Sequence, residues 1–448
     1  MSDPPDPSIY FQWVENAISK QLINYFDYRE FSNHEKIGAG GFSTVVKAEW
    51  KSCELIVALK SIKFDTEMTE MKMFVKELQL LQRVSFHPKI NHFYGVIKES
   101  DGNYKMVLQF ANNGNLRDYL ARKFSSLQWE DKFRIAREIA KGLEFIHANK
   151  IVHKDLHSKN ILVHDDKMMI ADFGLSKTVD IAGSNSNMEG MPAFIDPQCF
   201  KNSSYKRTTK SDIYSFGVIL WEISSGHKPF PKLSRTQIAI QIFQDVRETP
   251  VGGTPLQYEQ LYKQCWDVDP DKRPDIEEVF SLLNKLTIEP TEFRETIDKP
   301  LEGSLKKATL NHTIDSYNYH EFSEFTNIAE GPFSSVDEAS FSASIARGMS
   351  AYIDPQCFRD PNHKRDKKSD TYSLGVILWE ISSGKPPFKS IDIGFSITIH
   401  VFNGGREEPV EGTPPQYEQI YKQCWDDNPA TRPDIAFVLG NLSQIIDA

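Results

Sequence analysis

The chain has 448 residues, of which 40% are hydrophobic and 25% are charged, a composition typical of soluble globular proteins of about two to four domains. Its formal net charge of −10 argues against nucleic acid or an anionic membrane as a partner, since proteins that bind them are basic. Five Cys residues without a C-x-x-C pair and 12 His residues without H-E-x-x-H argue against disulfides, a zinc site and metallohydrolase chemistry.

The N-terminal segment predicts a short tail and one helix. Residues 1–9 are rich in Pro and Asp and are expected to be disordered. From Phe11 to about Phe26 apolar residues recur at helical spacing, so we expect a helix that packs on the domain behind it or docks a partner. The segment has no basic and apolar regions of a secretory signal, and no apolar run in the chain is long enough to span a bilayer. A cytoplasmic protein is expected.

A glycine-rich stretch follows at residues 37–48. Glycines allow a backbone to approach a polyphosphate and to point its N–H groups at it, although a plain hairpin turn explains such a stretch equally well. The apolar strand that follows ends in Lys60, and a helical stretch from Met71 to Val84 carries Glu77. We expect Lys60 and Glu77 to pair, which would hold the lysine on phosphate oxygens.

A second cluster of polar residues lies between residues 151 and 174. Asp155 and Asn160 belong to one loop, and Asp172 opens an Asp-Phe-Gly turn. The apolar residues 161–163 and 168–170 predict two short strands joined by a turn. Such a hairpin would bring Asn160 and Asp172 back to one place, where two oxygen ligands suit Mg²⁺. Asp155 would remain free to accept a hydroxyl proton.

This cluster resembles the catalytic segment of the eukaryotic protein kinases, which carries H-R-D-L-x-x-x-N and D-F-G signatures. The resemblance covers about residues 31–287. It implies an α+β bilobal protein kinase fold, with a β-rich N-lobe and a helical C-lobe. It also implies ATP and Mg²⁺ as cofactors, protein substrates as partners, and phosphotransfer to Ser or Thr as in the tyrosine-kinase-like branch. A pseudokinase or scaffold that binds partners is the alternative, and a Tyr or dual-specificity kinase is another.

The resemblance also assigns site residues. Asp155 would orient or deprotonate the acceptor hydroxyl, Lys60 would hold phosphates, and Asn160 and Asp172 would hold the metal. Leu108 stands at the gatekeeper position, and residues 109–111 form the expected hinge against adenine. The implied ATP-binding residues are Ile37, Gly38, Gly40, Phe42, Val45, Ala58, Lys60, Glu77, Leu108, Gln109, Ala111 and Leu162.

Several residues depart from the family pattern. Lys154 replaces the Arg beside the catalytic Asp and offers no bidentate fork to a phosphate, while His157 replaces a Lys of serine/threonine kinases. Gln198 replaces a Glu and cannot form that residue's ion pair with an Arg, which by resemblance is Arg273. The polar stretch that ends at Glu189 resembles an activation segment; its candidate phosphorylation sites are Thr178, Ser184 and Ser186.

The second half repeats parts of the first. Glu321–Ala339 repeats Glu30–Ala48 at an offset of 291 positions, whereas Ala351–Phe358 repeats Ala193–Phe200 at an offset of 158. The difference of 133 residues corresponds to about 49–182, which contains every catalytic residue named above. The second copy therefore has no residues to hold Mg²⁺ and no base.

These comparisons divide the chain into four parts: an N-terminal tail and helix at 1–30, a kinase domain at 31–287, a polar linker at 288–318 and a truncated, degenerate repeat at 319–448. We call the last part the C-terminal repeat, and we expect it to form a partial C-lobe-like helical unit. It lacks the counterpart of the helix at 127–148, so its apolar helix at 369–383 needs another partner. We expect it to dock on the first domain or on a partner protein, or to remain partly molten.

Overall fold

The structure is a computed structural model. It describes residues 8–39, 43–62, 67–100, 102–178, 190–202, 204–286, 327–331, 334–337, 350–360, 363–389, 391 and 395–446. The chain forms two compact units, one of residues 1–286 with 343–448 and one of residues 287–342. No helix in the described ranges is both long and apolar enough to cross a membrane.

A six-stranded sheet forms the first lobe. In chain order its strands are β1 (Tyr25–Phe26), β2 (Phe31–Ala39), β3 (Ser43–Trp50), β4 (Leu55–Ile62), β5 (Phe93–Lys98) and β6 (Tyr104–Gln109), and their order in the sheet is β1-β5-β6-β4-β3-β2. Successive side chains of a strand point to opposite faces. Val57 and Leu59 of β4 therefore enter one small core, while Ala58 and Lys60 lie on the other face. Helix α2 (Glu67–Val84) packs on β4.

The N-terminal helix is shorter than the sequence predicts. Helix α1 covers Ser8–Ser19 and packs on α2, with Val14 and Ala17 buried in the main core. The prediction that it continues to about Phe26 is wrong, because Gln21 adopts a left-handed φ of 56° and Tyr25–Phe26 forms strand β1, parallel to β5. Of the tail predicted to be disordered, residues 1–7 lie outside the described ranges, whereas Ser8 and Ile9 belong to α1, so the prediction is wrong for these two residues.

The second lobe is mainly helical, as predicted. Its helices are α3 (Leu116–Lys123), α4 (Trp129–Ala148), α5 (Pro197–Lys201), α6 (Thr209–Ser225), α7 (Arg235–Phe243), α8 (Leu256–Cys265) and α9 (Ile276–Lys285). The short strands β7 (Ile151–Val152), β8 (Ile161–His164), β9 (Lys167–Ile170) and β10 (Lys177–Thr178) lie between α4 and α5. Helix α4 packs against α6, α9 and β9, so it forms the centre of this lobe. The described structure confirms the predicted bilobal fold class.

The C-terminal repeat consists mainly of helices that resemble those of the second lobe. In the C-terminal repeat the helices are α10 (Gln356–Arg359), α11 (Lys367–Ser383), α12 (Phe395–Phe402), α13 (Pro415–Cys424) and α14 (Ile435–Ile446). Helix α11 matches α6: each has a capping box at its start and ends on a glycine with positive φ, Gly226 at 74° and Gly384 at 61°. A left-handed C-terminal residue favours glycine, which has no Cβ to clash.

The apolar helix α11 of the C-terminal repeat is less buried than its counterpart α6. Ile219 and Ile223 of α6 are fully buried, in the lobe where α4 covers that helix. Their counterparts 158 positions later, Ile377 and Ile381 of α11, are 42% and 67% exposed. Nevertheless the repeat has a buried core of its own, which includes Tyr372. Part of the apolar surface of α11 is therefore exposed, although the described residues of the repeat still form a buried core.

The second unit contains one described hairpin, formed by β11 (Asn327–Gly331) and β12 (Ser334–Asp337). Ala329 pairs with Val336 there, just as Gly38 pairs with Val45 in the first copy. The hairpin thus keeps the register of the glycine-rich stretch although an alanine replaces its first glycine.

A buried ion pair links two distant segments of the second lobe. Arg273 Nη1 donates to Asp196 Oδ2 at 2.7 Å and Nη2 donates to Asp196 Oδ1 at 2.9 Å, with both side chains fully buried. Gln198 instead donates to the carbonyl oxygen of Val268 at 2.9 Å. Arg273 therefore has a carboxylate partner two positions before Gln198. Arg432 and Asp354 form the same bidentate pair in the C-terminal repeat.

We expect Asp196→Asn to destabilise the chain by about 3–5 kcal/mol, because it leaves a buried guanidinium without its charge partner. Urea unfolding followed by Trp fluorescence measures this loss. Lys263→Gln is the control, since it breaks the exposed Lys263–Glu259 pair, for which we expect less than about 1 kcal/mol. Equal stability of the two variants would contradict a structural role for the Asp196 pair.

Candidate active site

Three elements meet at the ammonium group of Lys60. Lys60 Nζ, from β4, lies 2.7 Å from Glu77 Oε1 of α2 and 2.9 Å from Asp172 Oδ1, just after β9. Lys60 and Glu77 are almost fully buried, whereas the Asp172 side chain remains 40% exposed. The pairing predicted from sequence is therefore present, and Asp172 joins it.

Lys60 and Asp172 each stabilise the charged form of the other. Burial lowers the pKa of Lys60, but the Asp172 and Glu77 carboxylates more than offset that effect, so the pKa lies above its usual value. Burial likewise opposes ionisation of Asp172, yet Lys60 lowers the pKa of this carboxyl to about 2. Burial raises the pKa of Glu77 despite Lys60. Lys60 is thus a cation and Asp172 an anion at neutral pH, side by side at the edge of the cleft.

The loop at 155–160 and the Asp172 turn come together through a hairpin. Strands β8 and β9 pair from Ile161 with Ile170 to His164 with Lys167, as the sequence predicts. The Ala171 amide donates to the carbonyl oxygen of Asn160 at 2.9 Å, which holds the two open ends of the hairpin together. The Asn160 side-chain amide in turn donates to Asp155 O at 2.9 Å and to Asp155 Oδ2 at 3.2 Å.

His157 lies against the Asp155 carboxylate. Its Nδ1 accepts a hydrogen bond from the Asn160 amide at 3.2 Å, and its Nε2 lies 3.7 Å from Asp155 Oδ1. Burial lowers the pKa of His157, although Asp155 acts in the opposite direction. The imidazole is therefore neutral at pH 7, and because Nδ1 accepts, its proton is assigned to Nε2, on the side of Asp155.

Asp212 holds the catalytic loop, residues 153–160, through hydrogen bonds to its first two amides. The sequence does not assign it this role. Its carboxylate accepts hydrogen bonds from the amides of His153 at 2.8 Å and Lys154 at 2.9 Å, and His147 Nε2 lies 3.0 Å away. Lys154 has a left-handed φ of 69°, a conformation that costs energy outside glycine and needs support from its surroundings. An acidic residue at the start of the apolar helix α6 is the one sequence signal for this contact.

The structure describes most of the residues predicted to bind the nucleotide, and several of them lie on neighbouring strands of the six-stranded sheet. Ala58 pairs with Leu108 across β4 and β6, and Val45 pairs with Lys60 across β3 and β4. Gly38 pairs with Val45. Ile37 is 44% exposed, Leu162 and Ala111 are half-buried, and Gln109 ends β6. Gly40 and Phe42 lie outside the described residues, as do Ser184 and Ser186 and the side chain of Thr178.

Gly190 lies directly beside the Asp155 carboxylate. It has a φ of 117°, and a Cβ at this position would lie 2.8 Å from Asp155 Oδ1. Arg235 of α7 donates from Nη2 to the Gly190 carbonyl oxygen at 2.7 Å. The chain at Gly190 is therefore held by α7 directly beside Asp155, and any other residue there is strained.

The donor groups fit Mg²⁺ rather than a softer metal. Asn160 and Asp172 supply hard amide and carboxylate oxygens, and the exposed fraction of Asp172 leaves room for further oxygen ligands. Among the described residues there is no group of three or more His, Cys, Asp or Glu side chains that could hold a metal alone. Such a sparse set suits an ion that shares its ligands with substrate phosphates.

Comparison with known families decides the assignment. Residues 31–283 and again residues 346–442 match the family described as protein tyrosine and serine/threonine kinase, so the match covers well over half of the chain. The chain belongs to this family. The first match includes the site residues described above, and the second match falls on the C-terminal repeat.

Individual relatives point the same way. The chain is 30% identical over 267 residues to a probable LIM domain-containing serine/threonine-protein kinase of Dictyostelium discoideum, covering 58% of this chain and 40% of that protein. It is 31% identical over 256 residues to a serine/threonine/tyrosine-protein kinase of Arabidopsis thaliana, covering 56% of this chain and 65% of that protein. A putative serine/threonine-protein kinase/receptor of Acanthamoeba polyphaga mimivirus is 30% identical over 271 residues, covering 58% and 16%. The chain thus spans less than two thirds of each of these relatives.

We expect Asp212→Asn to lower kcat by about 100-fold, since an amide cannot accept from two backbone N–H groups through both of its atoms, and small displacements of a catalytic loop cost about this much. Steady-state phosphorylation of a generic protein acceptor measures the loss. Asp370→Asn is a matched control, because it makes the same change at the equivalent position of the C-terminal repeat, whose sequence has no counterpart of the loop at 153–160. A parental kcat in Asp212→Asn would contradict the positioning role.

The same carboxylate makes stability depend on pH. Burial raises the pKa of Asp212, but the hydrogen bonds from His147 and the backbone outweigh it, so the pKa in the folded state lies below the usual value of about 3.9. Asp212 therefore contributes stability above about pH 4 and loses this contribution as the pH falls further. We expect the stability difference between the parent and Asp212→Asn, measured by urea unfolding, to narrow from pH 6 to pH 3.5. A constant difference would contradict the lowered pKa.

Proposed function

We propose that the kinase domain transfers the γ-phosphate of Mg-ATP to Ser or Thr hydroxyls of protein substrates, as in the tyrosine-kinase-like branch. The observation that carries this proposal is the buried Lys60, which contacts Glu77 and Asp172 at once. Phosphoryl transfer needs positioning and charge neutralisation more than covalent chemistry, and this cluster supplies a fixed cation beside a metal-binding carboxylate. The family uses ATP, which supports the choice of nucleotide.

Each site residue has a definite task in this proposal. Lys60 holds phosphate oxygens, and Glu77 keeps it in place. Asn160 and Asp172 hold Mg²⁺, which when bound would neutralise charge on the phosphates. The amide of Gln109 donates to His92 O at 2.8 Å within the sheet, so Gln109 would meet adenine through its carbonyl oxygen.

Asp155 acts on the acceptor hydroxyl. Its carboxylate is held by Asn160 and faces Gly190, which leaves a narrow approach for an acceptor. The neutral His157 beside it adds no positive charge, so the Lys of other serine/threonine kinases has no charged substitute at this position. A Tyr or dual-specificity acceptor remains a second candidate, since the name of the Arabidopsis relative includes both classes. The cytoplasmic location and a role in signalling stay predictions.

The alternative, a pseudokinase or scaffold, is not favoured. Proteins that have lost phosphotransfer lack one or more of the residues that hold phosphate, metal and acceptor, whereas Lys60, Asp155, Asn160 and Asp172 are all present in this chain. The contact of Lys60 with Asp172 and that of Asn160 with Asp155 support this choice. In the C-terminal repeat the corresponding residues are missing, so we propose that this part is catalytically silent.

We expect Lys60→Met and Asp172→Asn each to abolish phosphotransfer while leaving the fold intact. The first removes the phosphate contact, and the buried Glu77 can then take up a proton because its pKa is already raised. The second removes the charge of a metal ligand. Incorporation of radioactive phosphate from Mg-ATP into a protein acceptor measures activity, and circular dichroism checks the fold.

Two matched variants serve as controls for these substitutions. Lys105→Met makes the same change on β6, where Lys105 pairs with Glu99 at 2.8 Å. Asp165→Asn makes the same change in the turn between β8 and β9, where the side chain is 66% exposed. Both should keep near-parental activity. Turnover near the parental rate in Asp172→Asn would refute the assignment of that metal ligand.

A further inference from the structure

The C-terminal repeat packs on the kinase domain through two pairs of equivalent helices. Helix α12 of the repeat lies on α7 and α5 of the kinase domain, and α10 of the repeat lies on α7. By sequence position α10 is the counterpart of α5, and α12 is the counterpart of α7, since Phe402 and Arg406 follow Phe243 and Arg247 by 159 positions. The contact is therefore reciprocal: each copy presents the same two helices.

The reciprocity extends to single residues. Ile240 of α7 and Ile399 of α12 are counterparts at the same offset of 159 positions. Ile240 is 2% exposed and belongs to the buried cluster of the C-terminal repeat, whereas Ile399 is 6% exposed and belongs to the buried cluster of the kinase domain. Each isoleucine thus completes the core of the other copy. Such an exchange is the signature of an isologous interface, in which one surface pairs with itself about a twofold axis.

One side chain breaks the symmetry. Phe395, at the start of α12, lies with its ring centroid 6.2 Å from that of Phe200 in an edge-to-face arrangement, and the guanidinium of Arg235 lies 5.9 Å from the Phe395 ring centre. The counterpart of Phe395 in α7 is Thr236, which offers no ring. Aromatic and cation–π contacts each contribute beyond simple burial. The repeat is therefore a better occupant of the α5/α7 face than a second copy of that face.

We propose that the α5/α7 face of the kinase domain is a self-recognition surface, and that α10 and α12 of the C-terminal repeat occupy it within the same chain. The truncated repeat has lost the catalytic core but keeps the two helices that this pairing requires. The surface adjoins the active site, because Arg235, which contacts Phe395, also holds Gly190 beside Asp155. When the repeat is displaced, the same face of a second chain becomes the next best partner.

A cleavable full-length chain tests the docking. A recognition sequence for a site-specific protease is inserted after position 300, the chain is cut, and the two halves are followed by size-exclusion chromatography with light scattering. We expect the parental halves to stay together at micromolar concentration. Ile399→Glu should separate them, since it places a charge in the interface, and Ile240→Glu should do the same from the other side. Parental halves that separate on cutting would overturn the proposal.

Ile381→Glu is the matched control for these variants. It introduces the same acid for the same residue in the repeat, but at a position that is 67% exposed on α11, outside the paired helices. Its halves should stay together like those of the parent. If Ile381→Glu separated the halves as completely as Ile399→Glu, the effect would come from general destabilisation of the repeat, and the proposed interface would be refuted.

A milder variant covers the case in which Ile399→Glu unfolds the repeat. Phe395→Ser removes only the half-buried ring at the edge of the interface. Hydrogen exchange of the uncut chain should then increase in α7, at residues 235–243, while the amides of α11 keep their protection. Unchanged exchange in α7 would refute the contact. None of these measurements needs nucleotide or turnover, so their outcome does not depend on the proposed phosphotransfer.

Self-recognition has its own test. The cut kinase half released by Ile399→Glu carries an intact α5/α7 face, and sedimentation velocity should show it dimerising as its concentration rises. The kinase half that carries Ile240→Glu should remain monomeric over the same range. A kinase half with the intact face that stays monomeric throughout this range would overturn the claim that this surface recognises itself.

Discussion

A buried ammonium group between two carboxylates ties the parts of the kinase domain together. Lys60 comes from the sheet, Glu77 from α2, and Asp172 from the turn after β9, so a single contact fixes three elements that are far apart in sequence. Lys60 and Glu77 are almost fully buried, so removing Glu77 would leave the Lys60 ammonium with only the partly exposed Asp172 as its counterion, which is costly. The β8–β9 hairpin brings Asn160 close to the Asp172 turn. The contact between Lys60 and Asp172 therefore also positions the predicted metal ligands relative to the glycine-rich strands β2 and β3.

Two further buried carboxylates, Asp196 and Asp212, stabilise the second lobe. Comparison with their counterparts in the C-terminal repeat shows that their roles differ. Asp196 pairs with Arg273 in the kinase domain, and Asp354 pairs with Arg432 in the C-terminal repeat with the same bidentate geometry. Because the pair persists in a segment without catalytic residues, it serves the packing of this half of the lobe. Asp212 is different: it accepts from the catalytic loop, and its counterpart Asp370 is exposed. The contrast marks Asp212 as a residue that serves the active site.

The C-terminal repeat buries part of its apolar surface against the kinase domain. Ile377 and Ile381 of α11 are exposed, whereas Ile240 of the kinase domain belongs to the buried cluster of the repeat. The contact with the kinase domain removes apolar area of the repeat from water, and this burial stabilises the repeat. The reciprocal pairing also explains why the helices equivalent to α5 and α7 retain apolar residues in a segment that has no catalysis to support.

The sequence by itself determined the family, the bilobal fold class, the β8–β9 hairpin and the pairing of Lys60 with Glu77. The hairpin follows from local apolar runs, whereas the family and the fold class follow from the resemblance that closely spaced motifs carry. The structure alone showed that α1 ends at Ser19, that Asp212 holds the catalytic loop and that Arg273 pairs with Asp196. It also showed that Ile240 and Ile399 each belong to the buried cluster of the other copy. Asp196 and Arg273 are 77 residues apart, and several carboxylates could have partnered the arginine on chemical grounds. Which one does so is decided by the packing of the surrounding helices, because an ion pair forms only where the backbone brings both groups within hydrogen-bonding distance.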